Sequence, residues 1–569
     1  MRYFLILLLI ILAGCAPDNR KVFALFVDNY FRASFSYHPT SGTAAGFHEY
    51  DNQLDDLSAR AVSFRITQLK EELQQLSEIR AHGLSPEDSI DAAFLDSTIQ
   101  AELFELEVDR SWKNNPMGYV SLAGSAVDGL MKRDFAPKKE RLKALTARLQ
   151  LVPAGLEAMR LNVEKPPREF TDLAIRMAQG SVGFFEKNVP EWARDAAGGD
   201  KQVLDEFTVA NNKVITAITK ASEWLKADLL PRSTGAYAIG AAMFSKKLLL
   251  EEMVDFPLDR LLTIGEVNLE KDYQDFVATA KLIDPKKTPS EVMASLSSDH
   301  PTAAQLIPAT RQTLTGIRKF LIDHKIITLP NGNMPKVEET PPYARDGSFA
   351  SMDSPGAFDT KATEAFYYVT PPEADWDAKH VEEHLRLYNK PVMDVITIHE
   401  AFPGHFAQFL YSAQYPTKTR KLLYVSSNAE GWAHYSEQMM IEEGYGNQDP
   451  KLHLAQLSEA LLRDCRYVAG IKLHTQNMTV EDATKLFVEK GFQERANGFE
   501  EARRGTYNPT YLYYTLGKLM IYKLREDYKK EKGSAYSLQL FHDEFIKAGP
   551  LPIPLIREIM LKDKSPTLN

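Results

Sequence analysis

Cysteine is almost absent from this chain: Cys15 and Cys465 are its only two. They lie far apart, and the first falls in an N-terminal apolar segment, so no disulfide framework carries the fold. Cys465 reads as a small buried apolar residue rather than a nucleophile. Long apolar runs are also missing, since nothing after that first segment is long and apolar enough to span a bilayer. Nor is there a long basic run. Lys and Arg number 67 against 77 Asp and Glu, a formal net charge of −10, with the signs mixed along the chain. This argues against nucleic acid as a partner, and the mild acidic excess chiefly serves solubility. No internal repeat is visible. At 569 residues the chain exceeds one small core and suits one large fold or two to three fused units.

What is present begins with residues 1–15, MRYFLILLLIILAGC. Arg2 supplies a positive start. Phe4 to Leu12 form an apolar run too short to anchor a folded protein across a bilayer but suited to a secretory signal. The end of the run, Leu12-Ala13-Gly14-Cys15, resembles the lipobox of bacterial lipoproteins. The resemblance implies removal of residues 1–14 and acylation of Cys15 on its sulfur and amine. Ala16, not Asp, follows. By resemblance to Gram-negative sorting, this implies a lipid anchor in the outer membrane facing the periplasm. Several acyl chains would hold firmly, at roughly 0.8 kcal/mol per buried methylene.

Apolar residues recur at three and four positions over 62–79, 89–108, 139–151, 171–187, 200–229 and 258–282, which predicts helices. Phe, Tyr, His, Pro and Gly crowd 28–54, which reads as a structured loop after a first helix. Breaks are expected at Pro166-Pro167, Gly198-Gly199 and between Gly235 and Gly240. Residues 327–375 differ. Pro330, Pro335, Pro341, Pro342, Pro355, Pro371 and Pro372 interrupt them, and Ala365-Phe366-Tyr367-Tyr368-Val369-Thr370 is a β-like run. Helical patterning returns over 382–410, 428–443, 451–477, 480–491 and 511–530. The expected class is mainly α with a small β element. A soft boundary near residue 330 divides a helical region 15–330 from a second, 331–569, that holds the chemistry; the two could also form one domain.

The informative stretch is Val392 to His405, VMDVITIHEAFPGH. A His-Glu pair on a helix followed by another His is the arrangement of a zinc hydrolase. Two imidazoles bind the metal, and the Glu beside them takes a proton from the attacking water. The usual second His comes four residues on. Here that position is Pro403, and the His arrives at His405. In an unbroken helix His399 and His405 would stand about 240° apart, at about 100° per residue. Pro403 removes a helical hydrogen bond and Gly404 permits unusual dihedrals, so the chain can bulge and return His405 to the metal. Such a site needs a third protein ligand. Glu430-Gly431-Trp432-Ala433-His434-Tyr435-Ser436-Glu437 offers Glu430 or Glu437 on a return helix. Glu430 is preferred because residues 428–431 start that helix near the cluster. Glu437, Glu442 and Glu443 read as solvated helix charges, and Trp432 as cleft wall or core.

HEAFPGH followed by EGWAHYSE resembles the bacterial domain-of-unknown-function family 885, which is grouped with the gluzincin-type metallopeptidases. The resemblance covers most of the chain. It includes Asp28-Asn29-Tyr30-Phe31 and Gly46-Phe47-His48-Glu49-Tyr50-Asp51 early, then Arg466, His474, Ala483, Arg504, Tyr514-Thr515-Leu516-Gly517 and Phe541-His542. It implies a large helical fold with a deep cleft, like carboxypeptidase Taq and angiotensin-converting enzyme. It implies one Zn²⁺ held by His399, His405 and Glu430, with Glu400 as base. His474 and Tyr514 would polarise the scissile carbonyl or stabilise its oxyanion, and Arg504 would hold a substrate carboxylate. This chain departs from many members at Phe406, where a second His follows Gly-His, and at Gly470, where an Asp precedes the later His by four. The expected function is a zinc-dependent peptidase for short peptides, dipeptidase or carboxypeptidase-like. The alternatives are a metal-dependent hydrolase of an ester or cell-wall amide, and a non-catalytic envelope lipoprotein that binds peptides.

Overall fold

The structure, a computed structural model, describes residues 19–341, 345, 349–373, 376–412, 414–562 and 568. The leader, its lipobox-like end and Cys15 lie outside the described residues. The fold is mainly helical with one small sheet. Among the described residues no helix is long and apolar enough to cross a membrane.

Two expectations at the level of single elements are corrected. The first helix, Asn19–Tyr37, runs ten residues into the predicted loop at 28–54. Phe23, Phe26, Val27, Tyr30, Phe31 and Phe35 form one buried stripe at helical spacing, and that periodicity outweighs their individual preference for strands and turns. A short helix, Pro39–Ala45, and a 3-10 turn at His48–Tyr50 follow. Helix Lys138–Asn162 continues past the expected end at 151, through Pro153. A proline inside a helix costs about 3 kcal/mol. Val152, Leu156 and Met159 beside it are buried, each contributing roughly 1.5–3 kcal/mol, so packing wins.

Other helix starts follow local chemistry. Ser85 accepts from Asp88 N–H at 3.1 Å ahead of Pro86, and Asp449 accepts from Lys451 N–H at 2.9 Å ahead of Pro450. Each side chain satisfies an otherwise orphaned donor, and each proline occupies a position that needs none.

One core gathers helices Met117–Lys132, Lys138–Asn162, Arg168–Glu186, Asn188–Ala197 and Lys201–Trp224. The largest core draws on both sides of residue 330. Helix Leu258–Ile283 lies along Pro450–Thr475, and Asn268 Nδ2 donates to Asp464 Oδ1 at 2.9 Å between them. The sheet has the order β1-β3-β2. β3, Phe366–Val369, is central; β1, Lys336–Glu339, pairs with it parallel and β2, Ala350–Asp353, antiparallel. Tyr367 reaches from β3 to within 3.2 Å of Thr397 Oγ1, which seats the sheet on the helix that carries His399.

Near the N-terminus Arg65 grips Glu102 with two bonds of 2.7 Å, and His38 lies 3.2 Å from Asp55 and 3.7 Å from Glu102. Burial opposes the charge on His38, but the two carboxylates outweigh it and lift its pKa from 6.5 to about 9. The folded state therefore gains stability that is present in full below the ordinary imidazole pKa and is lost as pH rises through the folded value. His38→Gln should lower the thermal midpoint at about pH 6 and match the parent at about pH 10. Thermal scans at the two values check this.

Candidate metal centre

Helix Lys390–Glu400 ends one residue beyond His399, and a new helix, His405–Ser412, begins at the second histidine. Between them the backbone doubles back. Gly404 N–H donates to the Ile398 carbonyl at 3.1 Å, and a Cβ at Gly404 would overlap the carbonyl oxygen of His399. Only glycine fits there. Trp432 is fully buried, stacks on Phe545 and donates from Nε1 to the Pro403 carbonyl at 2.8 Å. Its role is to hold the turn. The bulge expected from Pro403-Gly404 is thus present, and it brings the imidazoles to 4.9 Å between centroids with perpendicular planes.

Glu430 comes from helix Ser426–Glu442. Its Oε2 lies 3.4 Å from His399 Nε2 and 3.6 Å from His405 Nε2. One ligand atom from each of the three residues falls within 4.8 Å of the others, the one such group among the described residues. Burial would raise the Glu430 pKa, yet the two histidines hold it well below the usual carboxylate range. The helix reaches this position because Gly431 meets Gly517 on helix Tyr513–Lys532 backbone to backbone; a Cβ on Gly517 would overlap the Ser427 carbonyl.

Glu437 corrects the reading of it as a solvated charge. It is wholly buried and backs the imidazoles from inside the protein. Oε1 lies 2.6 Å from His399 Nδ1, Oε2 lies 3.0 Å from His434 Nδ1, and Arg463 Nη2 stands 3.5 Å away. Burial would raise its pKa, but Arg463 and the histidines drive it far below the carboxylate range, so Glu437 is an acceptor only. Both Nδ1 atoms must therefore carry the proton. His434, desolvated and near Lys518, has its pKa pushed down to about 3 and stays neutral. His399 goes the other way: burial opposes its charge, but Glu430 and Glu437 lift its pKa to about 10. The signal was in the sequence, because Glu430 and Glu437 are seven residues apart and share a helix face. Glu442 and Glu443 are exposed.

Glu400 follows His399, and its Oε2 accepts from the Met352 N–H of β2 at 3.0 Å. Tyr514 lies near Glu430, whose charge adds to burial in raising the phenol pKa. The guanidinium carbons of Arg463 and Arg466 stand 5.5 and 5.2 Å from its ring centroid. Arg504 rests against the Tyr514 hydroxyl. Glu500 is taken by Arg176 and Arg503, and Glu501 by Arg466 with two bonds of 2.7 Å. Among the described residues Arg504 forms no ion pair.

His474 sits elsewhere. Its Nε2 donates to the Gly505 carbonyl at 2.7 Å, and its ring packs on Tyr237 and Phe244. It lies eleven residues beyond Arg463 on helix Pro450–Thr475, about 16 Å along the axis. At Gly470 a Cβ would lie 3.0 Å from the Pro509 carbonyl, so that position has no room for an acidic side chain. Phe406 packs in the core against Phe402, and Cys465 is buried, with burial raising its thiol pKa.

The family described as bacterial protein of unknown function, DUF885, matches residues 39–560. The chain belongs to this family. A structure described as a lipoprotein of unknown function from Shewanella oneidensis shares the DUF885 chain's fold at TM-score 0.81 and 26% identity, over 96% of this chain and 100% of that one. A lipoprotein from Colwellia psychrerythraea gives TM-score 0.81 at 16% identity, over 95% and 98%. No curated protein matches.

Truncating Glu437 would remove the acceptor of two imidazole N–H groups and leave Arg463 with Glu459 alone. Glu437→Ala should cost about 3–5 kcal/mol, as for breaking a buried charged pair. The exposed Glu443→Ala should stay within about 0.5 kcal/mol of the parent. Urea unfolding of the two variants compares them.

Proposed function

We propose that this DUF885 protein is a zinc-dependent peptidase of gluzincin type, acting on short peptides in the cell envelope. The observation that carries the reading is the convergence of His399, His405 and Glu430, with Glu400 alongside. The donor set fits zinc: two imidazole nitrogens and one carboxylate, as in hydrolytic sites that keep a position open. Glu437 supports the fit, because it fixes Nδ1–H on His399 and directs Nε2 toward Glu430 and His405. When bound, the ion would supply a Lewis acid for the scissile carbonyl and the attacking water.

The protein groups do the rest. Glu400 accepts the proton of the attacking water and returns it to the leaving amine. Its bond to Met352 N–H holds the carboxylate in one orientation. The Tyr514 phenol stays protonated and donates to the developing oxyanion. Arg504, which forms no ion pair among the described residues, takes a substrate carboxylate through its planar fork. That favours short peptides with a free C-terminus, in a cleft like that of carboxypeptidase Taq or angiotensin-converting enzyme. Tyr514 suits the donor role better than His474, whose Nε2 is committed to Gly505. Two structural neighbours are described as lipoproteins. With the lipobox-like Leu12-Ala13-Gly14-Cys15, this supports an acylated Cys15 anchoring the protein in the outer membrane, facing the periplasm.

Elemental analysis and a peptide library test the reading together. The parent should hold near-stoichiometric zinc; His405→Ala and Glu430→Gln should lose it. Glu437→Gln should weaken zinc about 10–100-fold in chelator competition. Glu400→Gln should keep zinc but lose about 10²–10⁴-fold in peptide turnover. A parent that takes up no metal after zinc addition and dialysis would overturn the proposal in favour of a peptide-binding lipoprotein. A zinc-loaded parent that cleaves esters or cell-wall amides but no peptide would point to the other hydrolase class.

A further inference from the structure

Neither the ligands nor the groups around Tyr514 account for the early motif Gly46-Phe47-His48-Glu49-Tyr50-Asp51, or for the hydrogen bond that Glu400 accepts from β2. The two are connected through the β2–β3 pair. We propose that Arg133 is a positioning residue for Glu400, acting through β2, with the N-terminal corner as the second anchor of the same strand pair. The proposal rests on the reading of Glu400 as the base.

Arg133 caps the C-terminal end of helix Met117–Lys132, which belongs to the separate helical core. Its guanidinium reaches both strands. Nη2 lies 2.7 Å from Asp353 Oδ1, and Nη1 donates to the Glu364 carbonyl at 2.6 Å. The group also stands 5.7 Å over the ring of Phe366. Asp353 and Phe366 are opposed in register at the end where the connecting loop leaves and returns. One cation therefore pins the loop end of the pair, with its side chain only 11% exposed.

Ladder geometry carries this to Glu400. Thr370 N–H donates to the Phe349 carbonyl at 2.9 Å, so residues 349, 351 and 353 face β3 with their polar groups. Met352 then turns its N–H to the open edge, where it meets Glu400 Oε2 at 3.0 Å. A slip of one residue would turn that N–H inward and deprive Glu400 of its donor. The ion pair at Asp353, the next residue, opposes that slip.

The loop joining β2 to β3 seats on the early motif. Phe358 N–H donates to the Ala45 carbonyl at 3.0 Å, and the Phe358 ring packs on Phe47 at 5.0 Å. Gly46, at φ 98°, lies so close that a Cβ would overlap the Asp359 backbone. His48 Nε2 stands 4.0 Å from Asp359 Oδ1. The strand pair is thus held by two parts of the chain that contribute nothing to the metal ligands.

The test compares the full-length parent with Arg133→Met, Asp353→Asn and the exchanged pair Arg133→Asp with Asp353→Arg. Asp353→Asn leaves the packing of the Arg133 helix untouched and guards against a folding failure. In both single variants hydrogen exchange at the Met352 amide should rise at least about tenfold, while amides of residues 426–442 keep the parent's rates. Zinc content should not change. Peptide kcat should fall about tenfold to a hundredfold with KM within about twofold, and the exchanged pair should recover much of both losses. Parent-like exchange at Met352 in both single variants would overturn the proposal, as would a rise spread evenly over the molecule. The exchange measurement needs no substrate. It decides the hold of Arg133 on β2 even where the parent cleaves no peptide, an outcome that would count against the peptidase reading alone.

Discussion

Between Glu400 and His405 the backbone folds so tightly that Gly404 rests on the carbonyl of His399, and the rest of the site follows from that contact. In a continuous helix the two imidazoles would diverge by about 240°. The return costs regular helical hydrogen bonds, and the replacements are specific: Gly404 N–H to Ile398, Ala407 N–H to the Ala401 carbonyl at 3.2 Å, and the Trp432 indole to Pro403. Trp432 belongs to the helix that brings Glu430. The element supplying the carboxylate of the cluster therefore also braces the turn that supplies the second histidine, so neither can shift alone.

Behind this turn, charge is concentrated where solvent does not reach. A buried carboxylate without partners would give up its charge. Glu437 keeps its charge because Arg463 and two imidazole N–H groups surround it. The same carboxylate settles which nitrogen of His399 faces Glu430. Glu430 and Glu437 lie on one face of one helix with opposite duties: one stands before the imidazoles, partly open to solvent, and the other locks them from behind. Buried charge networks add little net stability. This one makes sense as the cost of fixing an imidazole orientation.

The fold class and the core of the site were legible in the sequence because they rest on local pattern. The 3.6-residue period revealed most helices, the β-like run at 365–370 revealed the central strand, and His-Glu with a displaced His revealed the cluster. What was missed depends on tertiary context. The later part of the stripe from Phe23 to Phe35 reads as loop until its burial on one side is known. Pro153 reads as a helix end until Val152, Leu156 and Met159 are seen to be buried beside it. Glu437 reads as a surface charge because its one local mark, a helix face shared with Glu430, does not tell a buried acceptor from a solvated acid; its partners His399 and Arg463 lie 38 and 26 residues away. Arg133 and Asp353, separated by more than two hundred residues, carry no local signal at all.

The early motif at Gly46–Asp51 and the Tyr514–Gly517 motif read as unrelated in sequence, yet they share a physical cause. Each marks a place where two stretches of backbone approach too closely for a side chain. Gly517 lets the Tyr514 helix meet the Glu430 helix, and Gly46 lets the N-terminal corner meet the β2–β3 loop. Close backbone contact fixes distance more sharply than side-chain packing does, because it leaves no rotamers to adjust. A cluster that keeps His399, His405, Glu430, Glu400 and Tyr514 near one another needs such fixed distances. The motif residues are therefore scattered along the chain, and Gly46 and Gly517 act only through backbone contact. They set the spacing between the elements that meet there.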